Sequence, residues 1–163
     1  MKNTKIIIHI LVLGWMLIIF MLSAQEAQVS SSLSGGLIYN VASLFIRGYK
    51  DMPLDQQILI IDHWQHTVRK NAHFFAYFVL GILVVSTMYT YRIKQITRLF
   101  ISFAVIFLYA VSDEIHQIFV PGRAAMIGDV VIDTAGGLAG MAVIVCMRFI
   151  FDVFHKRRVS LHT

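Results

Sequence analysis

Four apolar stretches, each close to the length of a bilayer crossing, constrain this chain more than any other feature of its 163 residues. A hydrocarbon core about 30 Å thick takes about 20 apolar residues per helix. The first stretch is Ile6 to Leu22, preceded by Lys2 and Lys5. The second runs from about Ala72 to Tyr91, with His73 at its start and aromatic residues at both ends. The third begins at about Leu99, stays uncharged to Val111, and reaches about residue 118 if the polar residues that follow continue the helix. The fourth, about Val130 to Phe151, holds Asp133 near its beginning and Arg148 near its end. These lengths predict an all-α membrane protein. It is one domain over residues 1–163, with transmembrane helices at about 6–22, 72–91, 99–118 and 130–151 and an outer loop at 23–71 carrying short amphipathic interfacial helices.

Composition agrees and removes other classes. At 58% hydrophobic and 14% charged residues, the chain is too apolar for an ordinary soluble domain. Cys146 stands alone, which excludes a disulfide framework and a cysteine-based zinc site. The net charge of +5 is scattered between apolar segments, so it reads as membrane orientation and not as nucleic-acid binding. With the N-terminus inside, nine basic residues (Lys2, Lys5, Arg92, Lys94, Arg98, Arg148, Lys156, Arg157 and Arg158) fall in short cytoplasmic segments. Five (Arg47, Lys50, Arg69, Lys70 and Arg123) fall outside. Both termini are then cytoplasmic, in a multi-pass protein of the plasma membrane. The first stretch also permits a secretory-signal reading, since "LSAQEA" resembles a small-residue cleavage site. Its seventeen residues exceed the usual 7 to 15 or so, which favours a retained helix.

The outer loop has its own helical patterning. Leu37, Val41, Leu44 and Phe45 follow helical spacing after a run of serines and glycines, and Ile58, Ile61, Trp64 and Val68 share a side after Asp55. Both segments read as helices lying at the outer interface, with Tyr39 and Trp64 at headgroup level; a re-entrant hairpin is the alternative.

Polar residues then collect where the helices end. In "SDEIHQIFVPGR", Asp113, His116 and Gln117 stand at i, i+3 and i+4, on one face. Asp129 and Asp133 are four apart, in a stripe that continues through Gly136, Gly137 and Gly140. Lys70, His73 and Tyr77 form a third stripe, with Arg69 a turn before His73. An ionisable group facing lipid costs about 2.5–3.5 kcal/mol, so these stripes are expected to face one another at a single depth. Asp113, Glu114, Asp129 and Asp133 would be matched by Arg69, Lys70 and Arg123, while His73 and His116 carry a proton or ligate a metal. Pro121 and Gly122 would turn Arg123 back toward the cluster. Gly136 and Gly140 form a small-xxx-small pair that admits a close helix, or a second copy of the chain. Isolated groups have plainer readings: His9 as an interhelical hydrogen-bond partner, and Asp62, His63 and His66 as interfacial residues with metal ligation as the alternative.

"RKNAHFFAYFVLG", "SDEIHQIFVPGRAAMIGDVVIDTAGGLAG" and the serine-rich "LSAQEAQVSSSLS" together resemble the VanZ-like family of bacterial membrane proteins, over nearly the whole chain. The resemblance implies Arg69, Lys70, His73, Tyr77, Ser112, Asp113, Glu114, His116, Gln117, Gly122, Arg123, Asp129, Asp133 and Gly136 as motif residues. It also implies an association with low-level resistance to the glycopeptide teicoplanin. Three functional readings remain. In one, Arg69, Lys70 and Arg123, with Tyr77, Gln117 and Asp133, bind an anionic lipid or lipid-linked envelope precursor. In another, Asp113, Glu114, His116, His73 and Asp129 work as acid–base groups or hold a divalent metal, acting on such a substrate. In the last, the ion pairs only lock the helices. No nucleophile elbow, P-loop or HExxH pattern is present.

Overall fold

In a computed structural model, which describes residues 2–25 and 27–160, the chain is helical throughout. The helices are α1 (Lys2–Ser23), α2 (Ala27–Phe45), α3 (Leu54–Met88), α4 (Gln95–Gln117) and α5 (Ile127–Ser160), with a 3₁₀ turn at Tyr49–Asp51. Within α1, α3, α4 and α5 lie four segments long and apolar enough to cross a membrane: Lys5–Ser23, Leu54–Met88, Gln95–Gln117 and Ile127–Phe154. The all-α class and the four spans read from the sequence are therefore the architecture of the molecule. The side chains of Lys2, His66, Lys156, Arg157 and Arg158 lie outside the described residues.

The fold departs from expectation in the continuity of its second span. The segment from Leu54 to Lys70, read as a separate interfacial helix, runs without a break into the span that follows. Nothing between residues 54 and 88 interrupts it: there is no proline or glycine before Gly81, and apolar residues recur along the whole length. At 1.5 Å per residue, its 35 residues reach about 52 Å, well beyond a hydrocarbon core. α2 packs back along its outer part, where Gln65 Nε2 donates to the Ser31 carbonyl at 2.6 Å. The turn between them is closed by Gly48 at φ 76° and by the buried Tyr49.

Four helices meet in one core, built from Ile19 of α1, Tyr77, Leu80, Val84 and Val85 of α3, Ile106 and Ala110 of α4, and Met141 of α5. α1 is tied in by polar contacts as well as by packing. Trp15 Nε1 donates to the Ala76 carbonyl at 2.8 Å, and the Tyr109 hydroxyl donates to the Met16 carbonyl. Interhelical hydrogen bonds in a bilayer average only about 0.6 kcal/mol, so Trp15→Phe should lower stability by about that much and leave the fold intact. Unfolding in detergent, followed by circular dichroism, checks this.

α3 and α5 approach most closely, because both present glycine at the crossing. A Cβ on Gly136 would strike the Phe74 carbonyl, and one on Gly140 the Phe78 carbonyl; Gly81 faces the Gly137 carbonyl in the same way. This corrects the expectation of a Gly136/Gly140 face open to a second copy, since α3 already fills it. At the end of the bundle remote from Asp113, basic and aromatic residues interleave. Arg98 and Arg148 stack on Tyr89 with 4.2 and 4.1 Å to the ring centroid, and His9 Nε2 lies 3.0 Å from the Tyr91 hydroxyl. His9 thus ties α1 to the loop between α3 and α4 and to no other helix by this bond.

Candidate functional site

The opposite end of the bundle gathers the polar stripes. The middle of α3, the last turn of α4, the loop that follows it and the first turns of α5 surround a pocket of about 210 Å³. Arg69, Lys70 and His73 from α3, Gln117 from α4, Arg123 from the turn, and Asp129 and Asp133 from α5 line it. Seven residues picked out by helical spacing therefore do share one hollow. A second recess of about 130 Å³ on the α1 side is also bounded by Arg69, His73 and Arg123, which form the wall between the two.

The floor is acidic and dry. Asp113 and Asp133 are 3% and 0% exposed, and none of their four carboxylate oxygens accepts a hydrogen bond by distance and angle. His73 Nδ1 stands 3.7 Å from Asp133 Oδ2. Each of His73, Asp113 and Asp133 offers an atom within 4.8 Å of the others, and among the described residues this is the group able to hold a metal ion. Tyr77, fully buried beneath them, has a hydroxyl without a partner and feels both carboxylates. Gln117 Nε2 donates to Ser23 Oγ at 2.9 Å, which leaves the serine hydrogen to point toward Asp113.

The mouth is basic, and here the expected pairing is corrected. Asp129 is matched by Lys70 at 3.3 Å and Asp133 by His73, but among the described residues neither Arg69 nor Arg123 forms an ion pair with a carboxylate. Arg69 Nε is buried without a partner, and Arg123 Nε donates only to the Gln25 carbonyl, at 3.3 Å. The acids lie deeper than the guanidinium groups because the aspartates of α4 and α5 face the α3 crossing, while Arg69 and Arg123 come from a higher turn of α3 and from the loop. Gly122 at φ 73° and the Arg123 N–H bonded to the Val120 carbonyl at 3.1 Å fold the loop back, as Pro121 and Gly122 suggested. Burial pushes the Arg123 guanidinium down from its ordinary value. The Arg69 charge pushes it the same way, against the pull of Asp113, Glu114 and Asp129.

Other sequence candidates take different places. Spacing put Asp113, His116 and Gln117 on the inward face, but the buried stripe of α4 passes through Ser102, Ile106, Ala110, Asp113 and Gln117 and takes in Glu114. His116 falls on the flank instead, stacked on Phe20 of α1 with ring centroids 4.4 Å apart, and so lies apart from the metal-capable group. Ser112 is exposed and bonds back to the Tyr109 carbonyl. Asp62 and His63 are exposed on the outer part of α3.

Glu114 reaches across to the loop, where its Oε2 accepts from the Met126 N–H at 2.8 Å just before α5 begins. Glu114→Ala should leave that donor unsatisfied, at about 1–3 kcal/mol, and Glu114→Gln should restore most of the loss. Faster amide exchange confined to residues 121–126 in the alanine variant is the measurement. Sequence reasoning missed Ser23 and Gln25, which bring α1 into the site. The available signal was a serine at the end of an apolar run at the depth of the other polar groups.

A family model described as VanZ/LLP1 matches residues 8–151. No curated protein and no solved structure matches the chain.

Proposed function

This chain belongs to the VanZ/LLP1 family, and we propose that it is a multi-pass protein of the bacterial cell envelope that holds the phosphate of an anionic lipid or lipid-linked precursor between Arg69 and Arg123. The observation that carries this reading is the pair of guanidinium groups that line one pocket, have no carboxylate partner among the described residues, and repel each other. Guanidinium forks match phosphate oxygens, and charge-assisted hydrogen bonds are strongest where water is scarce. An anion between them satisfies the Arg69 Nε donor and removes the repulsion.

A lipid, as opposed to free phosphate, is supported by an apolar groove on the same helix as Arg69, α3. This groove of about 270 Å³ between α2 and α3, lined by Leu37, Val41, Phe45, Trp64 and Val68 among others, ends one residue before Arg69. It has the character of an acyl-chain site, and the exposed Leu44, Phe45, Leu54 and Leu59 around it suit contact with a bilayer. The charge bias of the short segments supports a reading with this end outside and both termini in the cytoplasm. Reduced susceptibility to teicoplanin, a lipid-bearing glycopeptide, rests on the family resemblance alone.

Mass spectrometry of lipid retained through a mild-detergent purification tests the proposal. Parent protein is expected to carry phosphate-bearing lipid, and Arg123→Ala to lose it. Equal retention by both contradicts the reading.

A further inference from the structure

We propose that His73, Asp113 and Asp133 bind one divalent transition-metal ion, Zn²⁺ or Mn²⁺, at the floor of the pocket. The three residues come from three different helices, α3, α4 and α5, and bring one imidazole and two carboxylates to within 4.8 Å of one another. Two ligand atoms bound at about 2.1 Å with an angle near 120° lie about 3.6 Å apart. The separation of His73 Nδ1 and Asp133 Oδ2 is 3.7 Å, too long for a hydrogen bond and close to that ligand spacing. Even a pair at the 4.8 Å bound would need to close by only about 1.2 Å to reach bonding geometry, which rotation of a carboxylate can supply.

Burial points the same way. Both aspartates are almost completely enclosed, their oxygens accept no hydrogen bond, and the enclosed Tyr77 hydroxyl beside them also lacks a partner. Two buried carboxylates side by side meet a single imidazole at close range, and among the described residues neither forms an ion pair with the guanidinium groups above them. One dication with a neutral imidazole balances both carboxylates. The mixed nitrogen and oxygen donor set, with only three protein ligands, suits Zn²⁺ or Mn²⁺ better than Ca²⁺, which takes six or more oxygens, or Mg²⁺, which favours all-oxygen octahedra. Three ligands leave a coordination position open toward the pocket, which Arg69 and Arg123 border. The ion itself does not depend on the phosphate reading; only the identity of the group that completes its coordination does.

The experiment uses full-length protein in mild detergent, stripped with chelator and equilibrated separately with Zn²⁺, Mn²⁺, Mg²⁺ and Ca²⁺ before desalting. Elemental analysis is expected to return about one Zn²⁺ or Mn²⁺ per chain and only background Mg²⁺ and Ca²⁺. Asp113→Asn and Asp133→Asn should each reduce bound metal at least about tenfold, while Asp62→Asn, at an exposed carboxylate outside the group, keeps the parent content. Thermal unfolding of the parent supplies a readout that needs no variant, with a higher midpoint in Zn²⁺ or Mn²⁺ than in Mg²⁺ or Ca²⁺. A parent that binds none of the four ions, or a double asparagine variant that binds as the parent does, overturns the proposal. Phosphate-lipid retention by the stripped parent keeps the two readings separable, because loss of the metal site alone leaves the Arg69–Arg123 pair in place.

Discussion

Replacing Arg69 and Arg123 together by glutamine is expected to weaken binding of a short-chain phosphatidate by about 100-fold, equivalent to about 2.7 kcal/mol. Each guanidinium contributes hydrogen bonds to a charged group, worth about 1.5–3 kcal/mol, and the two contributions are not additive because both act on one phosphate. Lys70→Ala should cost far less, since the lysine already belongs to Asp129 at 3.3 Å. Arginine stays protonated at any working pH even when burial lowers its value, so the two guanidinium groups add no titration of their own to binding. The ligand does titrate. A phosphomonoester gains its second charge near pH ~6, so phosphatidate should bind more tightly as pH rises through that value. A diester such as phosphatidylglycerol should show no such step. Equilibrium binding in detergent at several pH values reads both effects.

Gly136→Val and Gly140→Leu are expected to do the greatest structural damage of any single changes considered. Overpacking a core usually costs about 1–3 kcal/mol, and these positions should exceed it because the obstacle is main chain. The Phe74 and Phe78 carbonyls cannot swing aside as a side chain could, so α3 and α5 must separate. That separation also carries His73 away from Asp133, and the phosphate-lipid and metal sites should fail with it. Gly14 provides the control. A Cβ there meets nothing within 4 Å, and Gly14→Ala should be neutral or slightly stabilising through helix propensity. Unfolding midpoints of the three variants in one detergent give the comparison; equal midpoints for Gly136→Val and parent contradict the crossing described above.

What could be read from the sequence follows from how strongly each feature is forced. Span length and apolarity are set by the bilayer, so the four crossings were legible to within a few residues at most ends. The depth of the polar groups was legible for the same reason: Lys70, His73, Asp113, Asp129 and Asp133 each fall near one end of a span as read from the sequence, and cost alone sends them inward. Rotation about a helix axis was harder. Asp113, Glu114 and His116 are close neighbours, and only the line of Ser102, Ile106 and Ala110 beneath them decides that Glu114 turns in and His116 turns to Phe20. Pairing was harder still. Charge balance suggested that the four acids are matched by Arg69, Lys70 and Arg123; Lys70 does meet Asp129, but Asp133 is met by His73, one turn on from Lys70. The contribution of α1 was hidden because Ser23 and Gln25 carry no charge, and Gln25 acts through its backbone carbonyl.

The most direct test asks whether the hollow opens outward and takes an anion. Ala124, exposed at the pocket rim beside Arg123, would be changed to cysteine in a Cys146→Ala background and treated with a membrane-impermeant maleimide in intact cells. Labelling without permeabilisation, slowed by short-chain phosphatidate and unaffected by phosphatidylcholine, is the predicted result. Labelling that requires permeabilisation, or protection that is the same with either lipid, would contradict the account.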